Sequence, residues 1–247
     1  QKGRLGIGTT EPQGRLAVLD EPHNLEEFPP RAMTGYKNYF EGHGEFCVNQ
    51  STWWGTGGGS TTLPMSGSGF DSGHLPGYGY NAFNKRSDRG WVSISGVYTN
   101  ATGFADSDSK GRFGVLGEWL EIKMPSKIKL KHFTLSLNHD NQDSVGYNTS
   151  RFPKQFTLYK SNDGVTWTST DYTSPNENGP GGGPVLGHYG REITYDTNES
   201  ESFMYYVILV KQTWSASYST DPSSHTAIGE WRLFGTREQG QSVLHDG

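Results

Sequence analysis

The sequence predicts an all-β protein, a two-sheet sandwich or jelly roll with extended segments at both ends. Three observations carry that prediction. Apolar and polar residues alternate in short runs, most clearly over 120–124 and 128–137, the period-two signature of a strand with one buried face. Glycine is abundant, with 34 in 247 residues, while only 32% of residues are hydrophobic, which suits short strands joined by many turns. No apolar stripe of helical period persists along the chain.

Taken in order, residues 1–31 stand apart. A Gly-rich start (GRLGIGTTEP) leads to a short strand-like run at 15–19 and a Pro-rich, acidic linker to Pro30. Glycines of this kind can cradle phosphate, but the lysine of a phosphate loop is missing and no helix follows. The globular part is expected from Ala32, with its first strand at 45–49. Residues 51–80 read as a long loop holding Trp53, Trp54 and a run of glycines, and 90–95 as a short strand.

The block 117–167 has the clearest strand signals. Leu120, Ile122 and Met124 alternate with Glu121 and Lys123, and Pro125-Ser126 is expected to break the strand. Ile128 and Leu130 then alternate in one parity, Phe133, Leu135 and Leu137 in the other. That slip places a bulge near Lys131-His132, because one extra residue exchanges the two faces. Phe156, Leu158 and Tyr159 make a further strand, closed by the turn Asn162-Asp163-Gly164. Residues 174–184 are too rich in Gly, Pro and Asn for regular structure. A strand is expected at 191–195. Residues 203–210 (FMYYVILV) are apolar on both faces, as in a strand central to a packed sheet. A polar loop over 214–228 precedes the last strand, 230–234.

Composition also bounds function. A net charge of −5 without a basic cluster excludes nucleic acid as a partner, since binding it needs a positive footprint. No apolar run approaches the roughly 18 residues of a membrane span, so no membrane insertion is expected. No signal-peptide pattern opens at Gln1, and the chain reads as a mature or internal fragment. Cys47 is the only cysteine, which precludes an intrachain disulfide; on a strand-like stretch it reads as a small buried hydrophobe. N-glycosylation sequons begin at Asn49, Asn100, Asn148 and Asn198. The histidines are scattered, without metal-ligand spacing, and no nucleophile elbow or paired carboxylates stand out. No enzyme activity and no cofactor are expected.

Two resemblances sharpen this. Gly6, Ile7, Gly8, Thr9, Pro12, Leu16 and Val18 fit a segment, similar to VGIGT-x-x-P-x-x-x-L-x-V, that recurs in the shafts and tail fibres of phages and large viruses. There it implies an extended strand ahead of a globular head; the plain alternative is a lead-in tail. From about Ala32 to Thr236 the chain resembles the discoidin-like, galactose-binding-like jelly rolls of the coagulation-factor type C superfamily. The signatures are Asn81-Ala82-Phe83-Asn84 ahead of Trp91, Gly117-Glu118-Trp119-Leu120-Glu121-Ile122 before a proline, Arg151-x-Pro153-x-x-Phe156-x-Leu158, Ser161-Asn162-Asp163-Gly164-x-x-Trp167, and the closing Ile228-Gly229-Glu230-Trp231-x-Leu233-Phe234-Gly235.

That resemblance implies a binding module for glycans, phospholipid headgroups or proteins. Carbohydrate-binding members often hold a structural calcium near an Ala-Phe-Asp-Gly turn and a glutamate beside the last strand. Glu230 matches the glutamate, but Asn84 stands where the aspartate should be, which puts a structural calcium in doubt and leaves carbonyl oxygens as its alternative ligands. The resemblance also sets the first and last strands side by side and antiparallel. One pole would then gather Trp53, Trp54 and Tyr78 with Trp214, Tyr218 and His225, joined by His139, Asp140 and Asn141, as a glycan site of aromatic platforms and polar side chains. The competing reading is that Trp53 and Trp54 only pack the long loop onto the sandwich. Trp167 is read as capping the core, and Tyr205 and Tyr206 as core.

The expected organisation is a fibre-like segment and linker at 1–31, a jelly roll at 32–236 and an extended tail at 237–247. The expected function is a non-enzymatic structural and adhesive module of an extracellular or virion-surface fibre. It would self-assemble through its termini, with cell-surface glycans as partners. The alternative is a soluble secreted lectin-like domain.

Overall fold

The computed structural model describes residues 5–7, 16–18, 25–54, 77–86, 90–99, 102–136, 151–175, 192–214 and 225–238. The short strands β1 (Leu5–Ile7) and β2 (Leu16–Val18) pair with each other in parallel, Leu5 opposite Leu16 and Ile7 opposite Val18. Next come β3 (Glu26–Phe28), the hairpin of β4 (Lys37–Phe40) and β5 (Gly44–Gln50), a 3-10 turn (Gly79–Phe83) and β6 (Trp91–Val92). The long β7 (Glu118–Ser136) precedes β8 (Pro153–Ser161), β9 (Thr168–Thr173), β10 (Glu192–Asp196), β11 (Phe203–Thr213), β12 (Ala227–Ile228) and β13 (Trp231–Arg237). The all-β jelly-roll sandwich expected from the sequence is the observed fold.

β7 belongs to both layers. Its first half, to Lys123, pairs with β5 on one side and β11 on the other. From Ile128 onward it pairs with β13 and β10. One layer therefore runs β4-β5-β7-β11-β8-β9, the other β3-β13-β7-β10. Pro125-Ser126 does not break the strand as expected. The chain bends there instead, and the β11 register jumps from Tyr205 opposite Lys123 to Phe203 opposite Ile128. Proline is tolerated because the residues around it have no ladder partner on β11 and so no bond to lose.

The expected bulge is present. Phe234 lies opposite His132 and Gly235 opposite Leu130, which leaves Lys131 as the extra, exposed residue. Thr197 satisfies the disturbed backbone: its N–H donates to the Lys131 carbonyl at 2.9 Å and its hydroxyl to the Leu130 carbonyl at 2.6 Å. Before the bulge Ile128 and Leu130 face the core; after it Phe133 and Leu135 do, and all four are fully buried.

Between the layers, Leu120, Ile122, Met124, Phe156, Leu158, Tyr206, Ile208, Trp231 and Leu233 form one continuous core with Trp91 and Phe83. β11 is apolar on both faces because its outer side is covered too. Val207 and Leu209 pack with Trp119 under Phe113, Val115, Tyr159 and Trp167. Trp167 thus caps this outer cluster and not the main core. Arg112 clasps the cover, its guanidinium 4.5 Å from the Trp119 ring centre and 2.7 Å from Glu121. Tyr206 is core, its hydroxyl donating to the Ile128 carbonyl. Tyr205 lies half-buried on the outer face, beside Trp167 and under the Lys123 ammonium.

Other details differ from expectation. Within the stretch that reads as a linker to Pro30, Glu26–Phe28 is an edge strand on β13, its carboxylates paired with Arg232 and Arg237. Cys47 is half-exposed, not buried, and its thiol is held protonated by partial burial and Glu45. The strands β4 and β9 are absent from the sequence-based scheme, since neither KNYF nor TSTDYT buries enough apolar surface to show a pattern.

Gly235 faces the bulge so closely that a Cβ would meet the Lys129 carbonyl oxygen at 2.5 Å. Gly235→Ala is expected to cost about 1–3 kcal/mol of stability in urea unfolding, while Lys131→Ala at the exposed bulge changes it by less than about 0.5 kcal/mol.

Candidate functional site

Both ends of β7 reach the same pole of the sandwich. At its start, the Glu118 carboxylate is fully buried and binds three donors: the hydroxyls of Ser51 and Thr52 at 2.5 Å each and the Lys110 N–H at 2.9 Å. A buried carboxylate is tolerated only when so satisfied. The Glu118 N–H donates to the Tyr98 hydroxyl, which donates to the Val210 carbonyl. At the other end, Ser136 exchanges backbone bonds with Gly229 and Glu230. Trp91 bridges the two ends: its indole N–H donates to the Thr52 carbonyl, and its backbone pairs with Ile228.

These bonds dictate where the candidate residues lie. With Ser51 and Thr52 pinned, Trp54 donates its N–H to Val92 and accepts from Gly77. Val92 pairs with Ala227, and Ser93 exchanges bonds with Thr226, whose hydroxyl donates to the Arg151 carbonyl. The Trp214 N–H donates to Phe152 nearby. Trp53, Trp54, Tyr78, Trp214 and His225 thus all lie at this pole. The route differs from the expected one: β5 borders β4 and β7, and the last strand borders β3 and β7. It is β6 that carries the connection across.

Burial separates the candidates. Trp53 is 9% exposed, Trp214 5% and His225 4%, whereas Trp54 is 38% exposed. Of the tryptophan pair, Trp53 is thus buried and Trp54 exposed. Tyr78 is half-buried, 6.0 Å from Trp53 between ring centres and stacked on Tyr80 at 5.5 Å. Tyr36 closes the group edge-on to both tyrosines. Burial first, then Tyr80 and Tyr78, push its hydroxyl well above the usual phenol range, so it stays a neutral hydrogen-bonding group. Sequence reasoning missed Tyr36 and Tyr80. The Tyr78-Gly79-Tyr80 spacing is a signal for the second, but nothing marks Tyr36. It missed Lys154 as well, whose ammonium lies 4.7 Å over the Trp214 ring. His139, Asp140, Asn141 and Tyr218 lie outside the described residues, as do the sequon asparagines Asn100 and Asn148.

The calcium question turns on Glu230, which is 5% exposed. One of its carboxylate oxygens accepts the Arg86 N–H at 3.0 Å; the other has no partner among the described residues. Burial pushes its pKa up to about 8, against the pull of the Arg86 bond, Lys85 and Arg232. The Asn84 side-chain oxygen accepts from the same Arg86 N–H at 2.8 Å. No group of three His, Cys, Asp or Glu side chains converges among the described residues. Burial by itself favours the protonated form of the Glu230 carboxyl.

No protein family and no curated protein matches the chain. Among solved structures it is similar to a family 32 carbohydrate-binding module from a family 31 glycoside hydrolase of Clostridium perfringens, at 15% identity, over 65% of this chain and 83% of that one, with a TM-score of 0.43. The family 32 module of C. perfringens NanJ, solved in complex with galactose, aligns at 10% identity over 76% and 93%, with a TM-score of 0.44. An F5/8 type C domain from Bacteroides fragilis aligns at 12% identity over 65% and 82%, with a TM-score of 0.39.

Glu230 makes stability depend on pH. Its folded pKa is about 8 against 4.5 in a free side chain, so the folded state holds the proton more tightly, and stability falls as pH rises through that window. Thermal melts should show a lower Tm near about pH 9 than about pH 5. Glu230→Gln, which keeps a neutral side chain, should flatten the dependence and recover on the order of a few kcal/mol at high pH.

Proposed function

We propose that the chain is a non-catalytic module that binds glycans at the pole carrying Trp54. We further propose that its N-terminal segment builds it into a fibre or filament on an extracellular or virion surface. The observation that carries the binding half is the exposed Trp54 ring, held in place by backbone bonds on both sides. A sugar presents C–H groups on one face and hydroxyls at its rim. An indole answers the first with its apolar face, and aromatic side chains with polar tips answer the second, both losing little entropy on contact. Tyr78, next to the Gly77 whose N–H donates to the Trp54 carbonyl, adds a hydrogen-bonding hydroxyl at the same pole. No helix among the described residues is long and apolar enough to cross a membrane, and the extracellular placement follows from the ligand class.

The assembly half draws support from β1 and β2. Their three-residue strands pair only with each other among the described residues. A two-stranded sheet this short is not stable alone in water, and its open edges suit strands from neighbouring copies. The soluble lectin-like alternative has its own support: among the described residues one continuous core runs from Phe28 to Leu233.

On a glycan array, Trp54→Ala is expected to weaken the bound signals at least about tenfold, with unchanged thermal stability. No binding to any glycan by the wild-type protein overturns the binding half. In light scattering the full chain should exceed monomer mass and a chain lacking residues 1–24 should not; a monomeric full chain leaves the lectin-like reading.

A further inference from the structure

We infer that Asn198 is an acceptor for an N-linked glycan and that Asn49, in the other described sequon, is not. A folded domain accommodates a glycan only where the asparagine projects into solvent and its neighbours need not move. Asn198-Glu199-Ser200 meets that condition. It sits in the connection between β10 and β11, with Asn198 and Ser200 both exposed. The connection is anchored next to both. Thr197 is bonded to the Leu130 and Lys131 carbonyls at the β7 bulge. Glu199 is ion-paired with Lys160, whose side chain is only 5% exposed. The anchors use the residues flanking the acceptor and leave the asparagine and the serine outside.

Asn49-Gln50-Ser51 fails on each count. Asn49 is half-buried in β5, between β4 and β7, and its side-chain oxygen accepts the Gln50 N–H at 3.0 Å. Gln50 and Ser51 are 2% and 1% exposed, and the Ser51 hydroxyl is bound to Glu118. A glycan here would disturb the bonds that set the pole.

The placement also suits the proposed function. β11 begins opposite Ile128, at the bend of β7, and the Asn162 side chain reaches from the β8–β9 turn to the Ser202 carbonyl. Asn198 therefore lies at the end of the sandwich away from Trp54, where a glycan leaves the binding pole open.

The inference rests on the extracellular reading, and secretory expression in insect cells supplies that compartment, so the result reports on the site itself. Peptide mapping by mass spectrometry should find hexose-bearing glycan on the Asn198 peptide and none on the Asn49 peptide. Asn198→Gln and Ser200→Ala, the second keeping the asparagine, should each abolish the modification at position 198 while leaving the melting curve in place. An unmodified Asn198 in secreted, folded protein overturns the inference, and so does a glycan found on Asn49. Glycan-array binding is a separate readout, so its loss would count against the binding pole and not against this site.

Discussion

A single strand crossing both layers is the constraint on which the rest of the fold depends. β7 supplies 19 residues and borders β5, β11, β13 and β10. Its bend at Pro125 doubles it across the sandwich, so each half faces the other through the core. Two devices make this possible. Around Pro125 the ladder to β11 lapses, so the proline forfeits no bond. At Lys131 a bulge reverses the facing parity, so Phe133 and Leu135 turn inward on the second sheet as Leu120 and Ile122 do on the first. Without the bulge, the residues from Phe133 on would present their apolar side chains to solvent.

Because both ends of β7 return to one pole, that pole is where the structure concentrates its buried polar contacts. Glu118 satisfies its carboxylate with hydroxyls and an amide from separate segments, which couples the loop after β5, the approach to β7 and the strand itself. Such a carboxylate contributes specificity of arrangement more than net stability, since desolvation offsets much of its attraction. What it secures is position: Ser51 and Thr52 are pinned, and two residues on, the Trp54 backbone is bonded to Val92 and Gly77. Glu230, at the same pole, is a contrasting case. Buried, and with one of its oxygens hydrogen-bonded among the described residues, it is driven toward the neutral acid.

Strand periodicity was legible wherever a strand has one dry and one wet face, as at Ile122 and Lys123. The bulge was legible too, because a parity slip is written directly in the residue types from Leu130 to Phe133. Strands with little apolar surface, Lys37–Phe40 and Thr168–Thr173, left no pattern, since they are held by backbone pairing to their hairpin partners and not by a buried face. The outer cluster around Trp119 was hidden for a related reason. Trp167, Phe113 and Arg112 come together over a sheet face, and no local spacing encodes that meeting.

The sequence by itself determined the strand class and the central place of 203–210, because these follow from side-chain chemistry and its period along the chain. Tertiary structure alone decided which of two adjacent tryptophans is buried and which is exposed, that Tyr36 joins Tyr78 and Tyr80, and that Glu26–Phe28 is an edge strand. Each of those depends on hydrogen bonds and packing between segments far apart in sequence. The geometry exists only once β7 has bent and brought its two ends together.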